Sequence, residues 1–465
     1  MNTPRQLALW KSKYEVVGEW WPKDEPHLKY PGTLYVEDGI YRLTITAPPI
    51  GQEVFALGSA ATLHGIVSSG TETIEVTLWD RSGHYLDHHK NGTDHSRRFT
   101  HVLHGTHIDD YVTSEFRTSA VMMNDLGIWS RFRSPISDAE LDEDLPNHTI
   151  ATLHPYRDLF DTQHSVSVQL EYPGRVEITE RFPHGAMVNH QDQNARVVFN
   201  VSPPAPALFH ELLVNDFQAL LTFCFQSGAP LRGEWIGSDA RNLIPLHRRD
   251  SFRDRSVRHL GDFQMILTPD QLPFGEMVES WWKVLDDAFP APQVLTSYLH
   301  AARGLLEQST ASVLAATEHI HTLIGATQNR FAPEIITQNK RVIKEALPGA
   351  SNASFRSFIG EKLQENRPTL ETRLQELVDI VTLRRFEMLS IDASEWVARF
   401  KAVRNKLAHT GAHVSRRGDS SAELELANSQ TRPILALLLL SGMGLSPDTI
   451  DRAARTLGSF PHRNW

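Results

Sequence analysis

The sequence contains a single cysteine. Cys224 lies in the apolar run LLTFCF, so the chain cannot form an internal disulfide, and we expect this thiol to pack as a small hydrophobic side chain. The scarcity of cysteine excludes a small secreted domain held together by disulfides. It predicts a reducing, cytoplasmic setting.

Long apolar runs are also missing. The N-terminal stretch MNTPRQLALWKSKYE lacks both a continuous apolar core and a small-residue cleavage site, so we predict no secretory signal. The apolar run ILALLLLSGMGL near the other end is shorter than the roughly 20 residues that span a bilayer, and it predicts a buried helix. We therefore expect no membrane partner.

Motifs of several common enzyme classes are absent as well. The sequence has no Walker A loop, no GxSxG nucleophile turn, no dinucleotide fingerprint and no HExxH metal motif. These patterns mark P-loop enzymes, α/β-hydrolases, dinucleotide-dependent enzymes and zinc peptidases. None of these classes is indicated, and we predict no cofactor.

Charge is distributed unevenly along the 465 residues, a length that suits two or three domains. The net charge of −10 argues against nucleic-acid binding by the whole chain. Residues 291–465, however, carry 21 Lys and Arg against 17 Asp and Glu, whereas the remainder carries 25 against 39. This division is expected if only the second part meets phosphate, and ordinary compositional drift is the alternative.

Residues 1–275 are predicted to be rich in β-strands. The segment GTLYVEDGIYRLTITAPP alternates apolar and polar residues around Asp38-Gly39, and ATLHGIVSSGTETIEVTLWD does so around Ser69-Gly70; both patterns are typical of hairpins. Further strand-like runs are HSVSVQLEYPGRVEITERF, ARVVFNVSP and FQMILTP. The run FHELLVNDFQALLTFCFQSG is the one good helical candidate. The spacing predicts an antiparallel sandwich or barrel.

The remainder is predicted to be helical, which makes the chain an α+β multidomain protein. Residues 276–290, EMVESWWKVLDDAFP, are expected to form a connecting helix, followed by a helical bundle over residues 291–465. The candidate helices are QVLTSYLHAARGLLEQSTASVLAATEHIHTLIGAT, PEIITQNKRVIKEAL, NASFRSFIGEKLQEN, TLETRLQELVDIVTLRRFEML and SPDTIDRAARTLG. A polar loop, VSRRGDSSAE, is expected before the ILALLLL helix.

Residues 391–413, IDASEWVARFKAVRNKLAHTGAH, form the most informative stretch of this region. An apolar stripe recurs there at helical spacing, formed by Trp396, Phe400, Val403 and Leu407. Asp392 offers a helix cap and Gly411 offers a stop. Arg404 and His409 lie near the end of this predicted helix.

Arg404 and His409 together suit phosphate chemistry. An arginine holds two phosphate oxygens with its planar fork, and a histidine serves as base or acid near neutral pH. RNA can be cut without a metal, because its own 2′-hydroxyl can attack the adjacent phosphorus. Five residues on a helix correspond to about 140° of rotation, so either the helix ends before His409 or the pair converges in another way. The alternative for both residues is a surface helix end, where cations favour the C-terminal dipole.

The string RNKLAHTG, at the end of an amphipathic helix, resembles the HEPN superfamily of small helical ribonuclease domains. The order of GEWWP, PGTLYVEDGIYRLTI, LHGIV, EVTLWD and DLGIWSRF is similar to the N-terminal domain that precedes the HEPN domain in ApeA-type bacterial defence proteins. Residues such as Gly18, Trp20, Gly65 and Trp129 are individually common in turns and cores. Their order carries the resemblance, which covers nearly the whole chain.

The resemblance implies a metal-independent endoribonuclease that acts in anti-phage defence by abortive infection. It implies that HEPN domains form a homodimer or a larger homo-oligomer in which the motifs face each other. RNA, with tRNA as one candidate, is the predicted substrate, and a phage-derived protein is the predicted trigger. Because such a toxin must be restrained, we hypothesise that the acidic N-terminal part senses the trigger or covers the basic cleft.

The same resemblance implies roles for individual residues. Arg404 and His409 are predicted to be catalytic, Asn405 to orient the imidazole or the phosphate, and Glu318 to face the motif from an earlier helix. An exposed helical glutamate is the alternative for Glu318. RNA binding is predicted for three cations, Lys406, Arg416 and Arg417. Two residues near Glu318 are alternates for its role, His319 and His321.

A histidine-rich stretch offers a rival site. Its members are His84, His88, His89, His95, His101, His104 and His107, with Asp87, Asp94, Asp109 and Asp110 nearby. A zinc or iron hydrolase uses two or three histidines with a carboxylate. The segment DHHKNGTDHSRR is nevertheless typical of a polar loop, so we predict a solvated loop and no metal site.

A non-catalytic HEPN module is the alternative function. Some HEPN domains bind nucleotides or RNA, or partner nucleotidyltransferases, without cutting RNA. The presence of both Arg404 and His409 favours the enzyme.

Overall fold

A computed structural model of the chain describes residues 13–37, 40–45, 60–69, 72–80, 86–88, 95–130, 148–153, 164–171, 179–181, 187–189, 195–248, 265–300, 305–326, 329–346, 354–355, 358, 366, 368–410 and 418–459. The chain divides into two compact units, Met1–Trp282 and Lys283–Trp465. Each unit is described by itself.

The first unit is built on a large antiparallel sheet. Its strands in chain order are β1 (Lys13–Pro22), β2 (Tyr30–Glu37), β3 (Ile40–Ile45), β4 (Thr62–Ser69), β5 (Glu72–Trp79), β6 (Leu86–His88), β7 (His95–Phe99), β8 (His101–His104), β9 (Glu115–Met123), β10 (His148–Leu153), β11 (Ser165–Glu171), β12 (Thr179–Arg181), β13 (Met187–Asn189), β14 (Arg196–Pro206), β15 (Leu231–Gly237) and β16 (Leu243–Arg248). Fourteen of the described strands form one sheet in the order β10-β11-β14-β9-β15-β16-β8-β5-β4-β1-β2-β3-β7-β6, and β12 pairs with β13.

Both predicted hairpins are present. Strands β2 and β3 pair with Glu37 opposite Ile40, which leaves the predicted Asp38-Gly39 pair as the connection. Strands β4 and β5 pair with Ser69 opposite Glu72. The predicted strands in HSVSVQLE and ARVVFNVSP form β11 and β14, which are neighbours in the sheet.

The core below β1 to β5 is centred on Trp20. Its side chain is fully buried, and its indole Nε1 donates a hydrogen bond to the Gly32 carbonyl at 3.1 Å. Gly65 lies opposite Trp20 in the β1–β4 pair, and the indole ring covers the space that a side chain at Gly65 would fill. Trp20, Gly32 and Gly65 therefore form one packing unit.

Three helices accompany the sheet in the chain: α1 (Leu126–Ser130), α2 (Ala207–Phe225) and α3 (Phe274–Asp287). The predicted helix from Phe209 is α2, and its Cys224 is fully buried. Burial raises the pKa of the Cys224 thiol far above its ordinary value.

The predicted strand in FQMILTP is wrong for the part of it that the structure describes, residues 265–269, which form no strand. The Ile266 amide instead bonds to the Cys224 carbonyl at 2.9 Å, and the Leu267 carbonyl accepts a hydrogen bond from the Trp129 indole at 3.0 Å. Both apolar side chains are buried. The run is therefore apolar because it covers α1 and α2, rather than because it joins the sheet.

The second unit is helical. Its helices are α4 (Ala291–His300), α5 (Leu306–Ile324), α6 (Pro333–Ala346), α7 (Leu370–Val381), α8 (Leu383–Met388), α9 (Ala393–Thr410), α10 (Gly418–Gly442) and α11 (Pro447–Gly458). The segment predicted as one long helical run contains two helices, α4 and α5. Helix α10 begins at Gly418, so residues 418–423 are helical rather than part of the predicted loop.

The predicted α+β class is confirmed, since an antiparallel β-rich unit precedes a helical one. The predicted sandwich or barrel takes the form of one continuous sheet. The apolar run at 434–440 is buried inside α10, as predicted. No helix in the described ranges has the length and apolar content needed to cross a membrane.

We expect Gly65→Ala to destabilise the first unit by about 1–3 kcal/mol, a typical cost of overpacking. The added Cβ would clash with Cε3 of Trp20, whose ring is held by its own hydrogen bond. Urea unfolding, followed by hydrogen-exchange protection of β4 and β5 peptides, measures the change. The loss should shrink in a Trp20→Phe background, where the ring is smaller. The exposed-site control Thr73→Ala should change little, and an equally stable Gly65→Ala protein would contradict the packing.

Candidate functional site

Helix α9 carries the RNKLAH motif and is fixed by its cap and its buried stripe. The Asp392 carboxylate accepts a hydrogen bond from the Glu395 amide at 2.8 Å, as predicted for the helix start. The Trp396, Phe400 and Val403 side chains are almost fully buried, whereas Leu407 is half-buried. These contacts set the rotation of the helix about its axis.

Both motif residues belong to the helix, because α9 continues to Thr410. The alternative that the helix ends before His409 is therefore wrong. On a regular helix, position 409 lies about 140° from Arg404 and about 150° from the centre of the buried stripe. Arg404 lies at the edge of the stripe, about 70° from its centre. The two residues of one chain therefore do not share a face of α9; the side chain of His409 lies outside the described residues.

Arg404 contacts Glu318 of α5. Its Nε donates to Glu318 Oε1 at 3.1 Å, and the Arg404 side chain is 43% exposed, whereas that of Glu318 is 15% exposed. The other carboxylate oxygen of Glu318 pairs with Arg373 Nη2 of α7 at 3.1 Å. One carboxylate thus joins two guanidinium groups from two different helices.

Further charged pairs lie on both flanks of α9. Lys401 pairs with Glu371 of α7 at 2.9 Å, on the same side as Arg404. Lys406 pairs with Glu423 of α10 at 3.4 Å on the opposite side. Asn405 is exposed. Lys406 is therefore engaged with a carboxylate, and the amide of Asn405 is accessible to solvent.

Some predicted positions lie outside the described residues. Arg416, Arg417 and the predicted stop Gly411 are among them, so their predicted roles stay predictions. Of the alternates to Glu318, His321 is buried and its Nε2 bonds to Glu376 Oε2 at 2.8 Å, while His319 is half-buried. His321 therefore contributes to the packing of α5 against α7.

Sequence reasoning missed Arg373 and Glu376. The two residues lie three apart on α7, and Glu318 and His321 lie three apart on α5. The two contacts, Glu318 with Arg373 and His321 with Glu376, therefore join the same two helices at the same spacing. This matched spacing can be read in the sequence, but by itself it does not show that the two helices are neighbours.

The described parts of the loop predicted in the rival histidine-rich stretch are strands, and residues 89–94 lie outside the described residues. Residues 86–88 and 95–99 are strands of a hairpin, and His101 and His104 are buried on β8. His107 stacks on the ring of His64 with centroids 4.4 Å apart. His84 and His89 lie outside the described residues. The sequence of β8 does not show the alternation of apolar and polar residues that predicts a strand, because its histidines are buried on both faces of the sheet.

No metal site is formed by the described side chains, among which no group of three or more His, Cys, Asp or Glu residues is suitably placed. Instead, His101 belongs to a buried charge network. Its Nε2 lies 3.3 Å from Glu211 Oε2, and Arg248 pairs with both Glu211, at 3.2 Å, and Glu234, at 2.6 Å. This network links α2 to strands β8, β15 and β16.

The pKa values of the two carboxylates move in opposite directions. Burial raises the pKa of Glu234 to about 6, against the charge of Arg248. Burial also favours a higher pKa for Glu211, but the hydrogen bond with His101 and the charge of Arg248 outweigh it and lower the pKa to about 2. The network therefore holds Glu211 ionised and is a structural centre of the first unit.

Two families match the chain. The family described as ApeA N-terminal domain 1 matches residues 15–233, and the family described as Apea-like HEPN matches residues 312–449. Their order agrees with the domain architecture that the sequence predicted. No curated protein and no solved structure matches the chain.

We expect the first unit to lose stability as the pH falls from 6.5 to 4. Burial lowers the pKa of His104 and His210 to about 4 and that of His247 well below its ordinary value. An unfolded histidine binds a proton near pH 6.5, so below that pH the unfolded state takes up more protons. Each histidine then contributes up to about 1.4 kcal/mol per pH unit.

Urea unfolding at several pH values, followed by hydrogen-exchange protection of β8 peptides, measures this slope. His104→Phe removes one titrating group and should flatten the slope. His27→Phe, at an exposed histidine, is the control and should not. Equal slopes in wild type and His104→Phe would contradict the assignment.

Proposed function

We propose that this chain, whose residues 15–233 match ApeA N-terminal domain 1 and whose residues 312–449 match Apea-like HEPN, is a metal-independent endoribonuclease of anti-phage defence. The observation that carries the proposal is the state of Arg404. Its guanidinium is held through Nε by a largely buried carboxylate, while its side chain remains 43% exposed on the helix that also carries His409.

The proposed reaction is transesterification at an RNA phosphate. The 2′-oxygen forms a bond to phosphorus while the bond from phosphorus to the 5′-oxygen breaks. A base takes the 2′-hydroxyl proton, and an acid gives a proton to the departing 5′-oxygen. The products are a 2′,3′-cyclic phosphate and a 5′-hydroxyl.

His409 and Arg404 supply the groups that this reaction needs. An imidazole titrates near neutral pH and can act as base or acid. The terminal amino groups of Arg404 can hold two phosphate oxygens and stabilise the charge that develops on them. Asn405 is proposed to orient the phosphate or the imidazole, and Lys406 to add electrostatic attraction.

A homodimer is proposed to complete the site. Position 409 and Arg404 lie about 140° apart on α9, so a single helix does not offer both to one phosphate. Two copies of α9 that face each other would bring the arginine of one chain towards the histidine of the other. The outer face of α9 carries Ala398 and Ala402, both exposed, and such small residues let a second helix approach closely.

The N-terminal unit is proposed to regulate the nuclease. Outside residues 291–465 the chain carries 25 Lys and Arg against 39 Asp and Glu, an excess of negative charge that repels RNA. A phage-derived protein that binds this unit would act as the trigger by raising cleavage above the basal activity of the free protein, and cleavage of RNA would then arrest the infected cell. This regulatory role is part of the proposed defence function, and it does not depend on which RNA is cut.

We expect the purified protein to cleave total RNA in excess EDTA, and Arg404→Ala and His409→Ala to abolish cleavage. Gel analysis of total RNA measures the activity, and end-group analysis should find cyclic phosphates. Arg341→Ala and His27→Ala alter an exposed arginine and an exposed histidine, and both controls should cleave as wild type does. RNA bound but uncut would favour the non-catalytic module, whereas loss of cleavage in EDTA would contradict the metal-independent reaction.

We expect Ala402→Arg to separate the copies and to lower cleavage by about tenfold or more, because a long charged side chain would stand in the proposed interface. The position is exposed, so the fold should be unaffected. Mass photometry measures the oligomer, and the RNA gel measures activity. The control Ala346→Arg adds the same charge at an exposed position of α6. A dimeric, fully active Ala402→Arg protein would exclude this face as the interface.

A further inference from the structure

Glu318 holds two arginines with its two oxygens. Oε1 accepts from Arg404 Nε, and Oε2 pairs with Arg373 Nη2, both at 3.1 Å. The Glu318 and Arg373 side chains are 15% and 19% exposed, whereas that of Arg404 is 43% exposed. The carboxylate and Arg373 therefore lie in the wall of the helical unit, and Arg404 extends from it.

Because Arg404 binds Glu318 through Nε, its two terminal nitrogens remain available for another hydrogen-bonding partner. A guanidinium has two hydrogen-bonding edges, one formed by Nε with a terminal nitrogen and one formed by the two terminal nitrogens. A carboxylate with both oxygens available binds an arginine through two parallel hydrogen bonds. In this structure Arg404 bonds to one oxygen of Glu318, and Arg373 pairs with the other. The outer edge of Arg404, with its two terminal nitrogens, is left for a second anion.

The net charge of the cluster formed by Arg404, Glu318 and Arg373 also favours the binding of a second anion. Two arginines and one glutamate give the cluster a net charge of about +1 at neutral pH, since guanidinium groups stay protonated. Without Arg373 the cluster would be neutral, and a largely buried carboxylate would draw Arg404 more strongly towards itself. A phosphate would then meet a weaker field and a less available fork.

We propose that Arg373 is a positioning residue of the nuclease site. By occupying the second oxygen of Glu318, it keeps the outer edge of the Arg404 guanidinium available for an RNA phosphate and keeps the cluster positively charged. This inference rests on the proposed ribonuclease function. It assigns no contact between Arg373 and the RNA.

Three variants of the full-length protein test the inference. Arg373→Met should lower kcat/KM on a defined RNA by about tenfold, as expected for the loss of one charge-assisted interaction. Arg373→Lys keeps a cation beside Oε2 and should retain most of the activity. The double variant Arg373→Met with Glu318→Gln should regain activity over Arg373→Met alone. A glutamine offers only one oxygen, so it can accept from Arg404 Nε without taking the outer edge.

The rescue separates positioning from a merely structural role, because removing a second charge partner would not repair a damaged fold. Thermal melts should accompany each assay, and Arg373→Gln replaces Arg373→Met if the latter does not fold. Arg341→Met, at an exposed arginine of α6, is the matched control and should be fully active. An Arg373→Met protein as active as wild type would overturn the inference, as would a double variant no more active than Arg373→Met.

Failure of this inference can be told from failure of the proposed function. If wild type cuts RNA, Arg404→Ala does not and Arg373→Met cuts normally, then only the role of Arg373 is wrong. If wild type does not cut RNA at all, the proposed function is wrong and the inference falls with it.

Discussion

The burial of one face of α9 is the constraint on which the helical unit's site depends. Trp396, Phe400 and Val403 are almost fully buried, and the Trp396 indole also donates to Thr431 of α10 at 3.1 Å. Rotation of the helix would expose these side chains, at a cost of about 1.5–3 kcal/mol for each large apolar group. The position of every other residue on α9 follows from this anchoring.

The charged pairs on the two flanks follow directly. On one side of the stripe, cations of α9 meet carboxylates of α5 and α7, and on the other side Lys406 meets Glu423 of α10. These pairs are partly exposed, where a single ion pair contributes about 0–1 kcal/mol. Their effect is therefore less to stabilise the bundle than to set where each cation lies. The arginine of the motif becomes a fixed group because its neighbours are fixed.

The N-terminal unit handles charge differently. Its network of Glu211, Arg248 and Glu234 lies inside the unit, where an unpaired charge would cost several kcal/mol. Both carboxylates pair with Arg248, and together with His101 the set ties a helix to three strands of the sheet. In this unit the buried charged residues hold a helix and several strands together. In the helical unit, by contrast, the charged residues of α9 lie at the edges of its buried face and are partly exposed.

Local features of the fold could be predicted from the sequence. The turns between β2 and β3 and between β4 and β5, and the cap at Asp392, depend on residues close together in the chain, so their patterns are visible in it. The failure at FQMILTP has a physical reason: an apolar run fits a strand and a buried irregular segment equally well. Tertiary packing determines which of these two structures the run adopts.

The candidate site was only partly accessible to sequence reasoning. The sequence motif predicted Arg404 and His409, and the family resemblance predicted Glu318. Neither of them predicted Arg373. Glu318 and Arg373 come from separate helices, as do His321 and Glu376, which lie 55 residues apart in the chain. Which helices become neighbours is decided by how the apolar faces pack, and a single sequence does not contain that information.

The burial of Cys224 makes the chain a convenient scaffold for spectroscopy. Its thiol is fully buried and its pKa is raised by burial, so it remains protonated and unreactive towards thiol-directed probes while the protein is folded. A second cysteine placed on the exposed face of α9 would therefore take up a spin label or a fluorophore alone. In the proposed dimer, two such labels, one on each copy of the chain, would report the separation of the two motif helices without any need to remove the native thiol.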